Sequence, residues 1–405
     1  MAANSGISIK GLKQKNLSLI LKLIAVHPGV SRIDLAKTTH LTKMTVSNIV
    51  SDLLDHGIIY EDETSAGFGQ PSNGRTPTPL RLSPQAPKAI GVLIKRGILR
   101  IVLGDLSGNV LDDITVRPAT VLTAEELLAI ILNGIDQLIS RNNSRILGIG
   151  ISSIGPLDVQ TGVLLNPPNF YEIQNFPVVE QVRRHTHLPT FLINDGNAGA
   201  LGEKMYGIGK TIPNFLYVYL KHGIGSGLVL HGELYNGDRG QSGELGHSTI
   251  NFAGPQCPCG NVGCLEMYAN IRNVRNFIRQ QHSLYPNTHI QDPSQLSLVE
   301  IIDLANQNDA LAVSALNEYC NYLSHAILNV LNTLDLSCVI VDYESNVKGT
   351  VLENLILRKI QPRINSERFQ SLHILRSQFH GHAPLIGALA LVADNVFHER
   401  LDILS

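Results

Sequence analysis

The sequence lacks the features that mark membrane and secreted proteins. No apolar run approaches the roughly 18 residues of a membrane span, and the polar, basic segment 1–16 predicts no secretory signal. Five cysteines among 405 residues are too few for a disulfide framework and fit a reducing compartment. Repeats and low-complexity tracts are lacking as well. We therefore expect a cytoplasmic protein without membrane insertion.

Charge of either sign is also scarce. Charged residues make up 16% of the chain and hydrophobic residues 43%, as in ordinary soluble globular proteins. A chain of this length predicts two or three domains, each with its own core. The formal net charge of −2 hides an uneven distribution, because residues 1–57 carry seven Lys or Arg against three Asp. A basic N-terminal module on an acidic body predicts a polyanionic partner.

Residues 17–57 show the periodicity of three short helices. An apolar stripe from Leu17 to Ile24 has the spacing of an amphipathic helix. Ser31 is placed to cap a second helix, with Asp34 in its first turn. A third apolar stripe leaves an outer face of small polar and basic side chains. That face carries Lys43, Thr45, Ser47, Asn48 and Ser51.

Three helices of this kind are what a helix-turn-helix needs to place its third helix in the DNA major groove. A three-helix module that binds proteins is the alternative. Strand-like segments 58–61 and 80–82 flank a Gly/Pro/Ser-rich loop and predict the wing of a winged helix. Arg75 in that loop suits a narrow A·T minor groove; otherwise the loop is a flexible linker. The predicted partners are operator DNA and further copies of this chain, as a homodimer or a higher homo-oligomer.

Three cysteines and a histidine are clustered between positions 247 and 264. Three thiolates and an imidazole satisfy the tetrahedral preference of Zn²⁺, and the turn residues among them keep the chain tight around one ion. The set is closed, so the predicted zinc is structural and not hydrolytic. Buried or disulfide-bonded cysteines are the alternative. The predicted ligands are His247, Cys257, Cys259 and Cys264.

Residues 223–266 resemble the signature of the ROK family of repressors, open reading frames and sugar kinases. That signature joins a glycine-rich loop, here residues 223–227, to Glu-x-Gly-His, here residues 244–247. It ends in Cys-x-Cys-Gly-x-x-Gly-Cys-x-Glu, here residues 257–266. The resemblance implies an α/β fold, with an N-terminal winged helix-turn-helix followed by a two-lobed actin-like (ribonuclease-H-like) ATPase-type fold.

The resemblance also implies a division into domains. We expect a winged helix-turn-helix DNA-binding domain over 1–84. A first α/β lobe would comprise 85–195 plus 383–405, and a second lobe with the zinc site would comprise 196–382. The sugar pocket would lie in the cleft between the lobes.

The family's sugar pocket implies a set of polar residues here. Asn169 matches the substrate-contacting Pro-Asn turn, and Asp195 matches the kinase aspartate that takes a proton from the sugar hydroxyl. By itself, the run Asn194 to Asn197 would be a capped turn. Asparagines and carboxylates suit vicinal hydroxyls, and His247 can give one ring nitrogen to zinc and the other to a hydroxyl. The predicted residues for a small sugar or sugar-phosphate effector are Asn169, Asn194, Asp195, Glu244, His247 and Glu266.

The first hairpin departs from the kinases of the family. They carry Asp-x-Gly-Gly-Thr there for Mg²⁺ and ATP phosphates, whereas this chain reads Leu93-Ile94-Lys95-Arg96-Gly97. Phosphoryl transfer depends on positioning and charge neutralisation, so the sequence predicts no enzyme activity. It favours a sugar-responsive DNA-binding transcriptional repressor of a carbohydrate-utilisation operon, similar to the family's xylose, N-acetylglucosamine and glucose-metabolism repressors. A sugar kinase with an added DNA-binding module, and a repressor controlled by a protein partner, are the alternatives.

Overall fold

The computed structural model describes residues 9–62, 77–167, 170, 173–221, 223–364 and 371–404. The chain divides into two compact units. The first unit comprises residues 1–151, 177–192 and 388–405, and the second comprises 152–176 and 193–387. The winged-helix segment thus shares a unit with the predicted first lobe, and the division into three domains stays a prediction. Among the helices of the described ranges, none combines the length and apolarity that crossing a membrane takes.

After an all-helical start, the described secondary structure combines helices and strands. The helices are α1 (Ile9–Val26), α2 (Arg32–Thr39), α3 (Lys43–Asp55), α4 (Ala124–Ser140), α5 (Val178–Thr186), α6 (Asp195–Tyr206), α7 (Ile271–Gln281), α8 (Leu298–Asn306), α9 (Ala310–Leu334), α10 (Val351–Ile360) and α11 (Ala383–Phe397). The strands are β1 (Ile59–Glu61), β2 (Leu80–Leu82), β3 (Lys88–Lys95), β4 (Ile98–Gly104), β5 (Val110–Val116), β6 (Ile146–Ser153), β7 (Leu157–Asp158), β8 (Val163–Leu164), β9 (Thr190–Asn194), β10 (Phe215–Leu220), β11 (Ile224–Leu230), β12 (Glu233–Tyr235), β13 (Cys338–Asp342) and β14 (His373–Arg376).

Helices α1 to α3 form the N-terminal module, and capping residues set where α2 and α3 begin. The Ser31 hydroxyl accepts from the backbone nitrogen of Asp34 at 3.3 Å, and the Asp34 carboxylate accepts from the backbone nitrogen of Ser31 at 3.1 Å. This reciprocal pair is a capping box. Thr42 caps α3 by accepting from the backbone nitrogen of Thr45 at 3.1 Å. The three predicted helices and the cap at Ser31 are confirmed.

Strands β1 and β2 pair antiparallel beside these helices, with Tyr60 opposite Arg81. The two predicted wing strands are therefore confirmed. The loop that joins them, including Arg75, lies outside the described residues. The module has a continuous apolar core in which Ile20, Leu21, Ile24, Leu35, Val46, Val50, Leu53 and Leu80 are each 0% exposed.

Two side-chain hydrogen bonds attach α1 to other elements of the first unit. The hydroxyl of Ser18 donates to the carbonyl oxygen of Val396 in α11 at 3.3 Å. The hydroxyl of Ser107, in the turn after β4, donates to the carbonyl oxygen of Ala25 at 2.7 Å. Ser18 is 2% exposed, so its bond is shielded from competing water. The N-terminal module is therefore fixed to the body of its unit by these hydrogen bonds.

Each unit is built on a five-stranded sheet. The first sheet has the order β5-β4-β3-β6-β9, and the second has the order β12-β11-β10-β13-β14. In the second sheet β10, β13 and β14 run parallel while β11 pairs antiparallel with β10. Helix α9 supplies much of the second core, with Leu316, Leu323 and Ile327 packed among strand residues such as Val218 and Val339. The predicted metal ligands follow β12 of this sheet on the chain, whereas Asn194 ends β9 of the first sheet.

The glycine-rich run at 223–227 differs from the expected loop. From Ile224 onward it belongs to β11, which pairs with β10. A Cβ added at Gly196 would lie 2.3 Å from the carbonyl oxygen of Ser226, and one at Gly227 would lie 2.7 Å from the Cβ of Ala200. The small residues therefore let α6 lie close against β11. This packing sets the position of the helix that begins at Asp195.

Candidate functional site

The four predicted metal ligands come together in the second unit. Their ligand atoms all lie within 4.8 Å of one another. The sulfurs of Cys259 and Cys264 are 3.7 Å apart, and the sulfur of Cys257 is 3.8 Å from Nδ1 of His247. A tetrahedral zinc with Zn–S bonds of about 2.3 Å places neighbouring ligands about 3.8 Å apart. A disulfide needs about 2.05 Å, so the donor set fits a metal ion and not a disulfide.

The backbone around the cysteines is folded tightly enough to bring these ligands together. The nitrogen of Cys257 donates to the carbonyl oxygen of Asn261 at 2.8 Å. The Asn261 amide in turn donates to the carbonyl oxygen of His247 at 3.1 Å, which ties the histidine to the cysteine loop. Gly263 has φ of +67°, and a Cβ there would lie 1.7 Å from the carbonyl oxygen of Asn251. Only glycine fits between the last two ligands of the loop.

Glu266 lies two residues beyond the last cysteine and is held by the start of β11. Its Oε1 accepts from the backbone nitrogen of Ile224 at 2.6 Å. A Cβ at Gly223 would lie 2.4 Å from the same oxygen, and one at Gly246 would lie 3.0 Å from it. The carboxylate is therefore enclosed by backbone, and its position depends on the metal loop that carries it.

Glu244 precedes the histidine ligand and lies among other charged groups. Its carbonyl oxygen accepts from the backbone nitrogen of His247 at 3.0 Å. Although its side chain retains exposed surface, the carboxyl group is crowded by protein atoms. Burial of the carboxyl group therefore raises the pKa of Glu244. The neighbouring His247 lowers this pKa, whereas the carboxylates of Asp195 and Glu266 raise it further. These four predicted sugar-binding residues are electrostatic neighbours.

Asn194 ends β9 and caps α6. Its Oδ1 accepts from the backbone nitrogen of Gly196 at 2.9 Å, so the capped turn is present. Its Nδ2 lies 3.2 Å from the position that a Cβ of Gly155 would take, and Oε1 of Glu244 lies 3.9 Å from the same position. The side-chain oxygen of Asn194 is thus used for capping, while its side-chain nitrogen faces the side on which Glu244 lies.

Five of the six predicted sugar-binding residues are therefore gathered in one unit, and their role stays a prediction. The sixth, Asn169, lies outside the described residues. Sequence reasoning missed Gly155, whose lack of a side chain leaves room between Asn194 and Glu244. Its place just after β6 was the available signal, because ligands of α/β proteins collect at the carboxyl ends of strands.

Helix α3 presents most, but not all, of its predicted outer face to solvent. Lys43, Asn48 and Ser51 are exposed, whereas Thr45 and Ser47 are partly buried. The Thr45 hydroxyl lies 2.9 Å from that of the capping residue Thr42. Sequence reasoning missed Met44, which is 75% exposed. Its spacing of four and seven residues from Asn48 and Ser51 was the signal, because such residues share one helix face.

A buried acid holds the far end of α6. Glu203 is 0% exposed. It accepts from the hydroxyl of Ser377 at 2.5 Å and from the backbone nitrogen of Ile208 at 2.9 Å. Burial raises the pKa of Glu203 to about 7, and the neighbouring carboxylate of Asp342 adds to this effect. Asp342 itself accepts from the hydroxyl of Tyr217 at 2.7 Å. Both ends of α6 are thus fixed by side-chain hydrogen bonds.

Comparison with protein families matches two segments of the chain. Residues 90–395 match the ROK family, and residues 14–60 match a winged helix-turn-helix DNA-binding family. The xylose repressor of Bacillus subtilis strain 168 is 30% identical over 387 residues, which cover 95% of this chain and 96% of that protein.

Two solved structures resemble this chain over different lengths. A ROK family transcriptional regulator described as a homolog of the E. coli Mlc protein superposes with a TM-score of 0.77 at 28% identity, covering 95% of this chain and 97% of the other. A ROK family glucokinase from Streptomyces griseus in complex with glucose and AMPPNP gives 0.65 at 25% identity, covering 75% and 98%. The predicted fold, a winged helix-turn-helix followed by the actin-like α/β fold, is confirmed. The chain therefore belongs to the ROK family.

Proposed function

We propose that this chain is a sugar-responsive DNA-binding repressor of a carbohydrate-utilisation operon in the cytoplasm. The observation that carries the proposal is similarity to the Bacillus subtilis xylose repressor over 95% of this chain, with the winged helix included. The glucokinase comparison covers 75% of the chain. Similarity to a repressor thus extends over more of the chain than similarity to a kinase.

The proposed DNA contacts lie on α3 and in the wing. Lys43, Asn48 and Ser51 are exposed and suit the major groove, while Thr45 and Ser47 have less accessible side chains. Arg75 would enter a flanking minor groove. A homodimer would bring two such helices to half-sites about one helical turn apart on a palindromic operator.

The proposed effector site uses the polar residues of the second unit. The amide nitrogen of Asn194 would donate to a hydroxyl, while the carboxylates of Asp195 and Glu244 would accept from neighbouring hydroxyls. One oxygen of Glu266 already accepts from Ile224, so the other remains for the ligand. Asn169 completes the proposed set. Its members offer more acceptors than donors, which suits an uncharged sugar with vicinal hydroxyls.

His247, Cys257, Cys259 and Cys264 would hold a structural zinc ion. Nδ1 of His247 faces the sulfur of Cys257, which leaves Nε2 for a sugar hydroxyl. Bound zinc would fix the tautomer and orientation of this ring and would supply no catalytic chemistry of its own. The residues present fit the ion, because three thiols and an imidazole lie within 4.8 Å of one another.

A sugar kinase is the second candidate, because Asp195 is retained where the family's kinases have their base. The first hairpin argues against it. Arg96 and Gly97 form a tight two-residue turn with Lys95 paired to Ile98. Lys95 is 4% exposed, and the run from Leu93 to Gly97 holds no carboxylate for Mg²⁺. We infer that this chain does not transfer a phosphoryl group to a sugar.

The test is a paired measurement on the purified full-length protein. Duplexes enriched from a random pool would show whether it selects a DNA sequence. Thermal shift with D-xylose, D-glucose, N-acetylglucosamine and their phosphates would show whether a sugar binds. We expect a palindromic sequence and stabilisation by one sugar class. Enrichment of no sequence, or sugar-dependent consumption of ATP, would contradict the proposal.

A further inference from the structure

Met44 lies in the first turn of α3 and does not belong to the apolar stripe of that helix. The stripe consists of Val46, Ile49, Val50 and Leu53, each at most 2% exposed. Met44 is 75% exposed. The core of the module is therefore complete without Met44, and the side chain is available to a partner.

The surroundings of Met44 indicate what kind of partner that is. Thr42 and Lys43 precede it on the chain, and Asn48 lies one turn further along the same face; all three are exposed. A contiguous apolar patch of several hundred Å² would mark a surface for a protein partner, whereas Met44 is a single apolar side chain beside polar and basic residues of α3. Such a face complements a polyanion.

We propose that Met44 recognises a thymine in each half-site by covering its C5-methyl group, an inference that rests on the proposed DNA-binding function. Residues at the start of a recognition helix contact base edges. The thymine methyl is the apolar group that the major groove presents among its donors and acceptors. An unbranched thioether side chain adapts well to such a small apolar target.

The experiment removes the methyl group and the side chain independently. Full-length protein first selects a sequence from a random duplex pool, and each thymine of that sequence is then replaced singly by deoxyuridine. We expect wild-type protein to bind about fourfold more weakly when a single thymine, at one particular position of either half-site, loses its methyl group. Met44→Ala should bind the thymine and deoxyuridine duplexes equally at that position.

Two control variants separate recognition of the methyl group from general effects on DNA binding. Met44→Leu should keep the preference for thymine. Lys43→Ala removes a charge next to Met44; it should weaken binding, reduce its salt dependence, and keep the deoxyuridine effect at the same thymine. Because Met44 is exposed and alanine favours helix, the thermal unfolding of Met44→Ala should match that of wild type.

The outcomes that overturn the inference differ from those that overturn the proposed function. A selected sequence with no deoxyuridine-sensitive thymine contradicts the role of Met44 and leaves the repressor proposal standing. If replacing the thymine by deoxyuridine weakens binding of Met44→Ala as much as it weakens binding of wild type, the role of Met44 is contradicted in the same way. Failure to select any sequence contradicts specific DNA binding itself, and the role of Met44 falls with it.

Discussion

Oε1 of Glu266 accepts a hydrogen bond from the backbone nitrogen of Ile224 at 2.6 Å. This contact joins the end of the cysteine loop to the first residue of β11. Cys264, a predicted metal ligand, is two residues away from the glutamate. The metal loop and the proposed sugar site are therefore parts of one structure, and disturbing the first should disturb the second.

Metal binding is the first consequence to test. We expect about one zinc ion per chain in protein purified without chelators, and none in Cys264→Ser, because a closed four-ligand site loses most of its affinity with one ligand. A strong chelator should lower the unfolding temperature and abolish sugar binding. Cys320→Ala removes a buried cysteine of α9 and should keep the metal. Metal-free wild-type protein that still binds sugar would contradict the structural role of zinc.

Gly263 and Gly260 provide a matched pair for the geometry of the loop. Both have positive φ, at +67° and +95°. A Cβ at Gly263 would lie 1.7 Å from the carbonyl oxygen of Asn251, whereas one at Gly260 has no atom within 4 Å. Gly263→Ala should lose zinc much as Cys264→Ser does. Gly260→Ala should keep it and lose only the roughly 1–2 kcal/mol of backbone strain. Equal zinc content in the two variants would show that the close approach of Gly263 to Asn251 does not determine metal binding.

Asp195→Asn should separate sugar response from DNA binding. Asp195 lies in the second unit, whereas α3 lies in the first. The substitution keeps the size of the side chain and removes the charge that would accept from a hydroxyl. We expect sugar affinity to fall by roughly 10- to 100-fold, the effect of losing one or two hydrogen bonds to a charged group. DNA affinity without sugar should not change. A parallel loss of DNA binding would mean that Asp195 supports the fold and not the ligand.

The buried carboxyl of Glu203 predicts a pH dependence of stability. Its pKa of about 7 in the folded protein lies above the ordinary value of 4.5, so the folded state binds the proton more tightly. The resulting contribution to the free energy of unfolding is complete below pH about 4.5 and is lost as pH rises through about 7. It amounts to about 1.4 kcal/mol per unit of pKa difference between the folded and unfolded states.

Glu203→Gln isolates this contribution. The amide cannot ionise, but it can still accept from Ile208 and donate to the hydroxyl oxygen of Ser377. Between pH 5 and 8, the free energy of unfolding measured with denaturant should therefore fall with rising pH in the wild type relative to the variant. Parallel curves would show that Glu203 is already ionised in the folded protein at pH 5.

The features that sequence predicted are those fixed by local spacing. Ser31 and Asp34 form a capping box because the two residues are three positions apart. Cys257, Cys259 and Cys264 converge because the turns between them allow little else. Such patterns need no knowledge of distant packing.

The features that sequence missed depend on packing between distant segments. Residues 224–227 form a strand because they pair with β10, and a glycine run alone does not distinguish such a strand from a phosphate loop. Periodicity identified the buried stripe of α3, but the exposure of Met44 required the helix to be placed against its neighbours. Nothing local to Glu203 indicates that its carboxyl lies between Ser377 and Ile208.

The central claim is that one chain couples a sugar to operator DNA without using ATP. Helix α11 begins in the second unit and ends in the first, where Val396 accepts from Ser18 of the DNA-binding module. A sugar that prefers one arrangement of the protein must change DNA affinity by its differential affinity for the two arrangements. Linkage requires DNA to change sugar affinity by the same factor.

The most direct measurement is fluorescence anisotropy of the selected duplex, titrated with full-length protein at increasing sugar concentration, with and without ATP. We predict that saturating sugar weakens DNA binding by roughly 5- to 150-fold, that ATP changes nothing, and that DNA weakens sugar binding by the same factor. DNA affinity that does not respond to any bound sugar, or a sugar phosphate formed when ATP is present, would contradict the account.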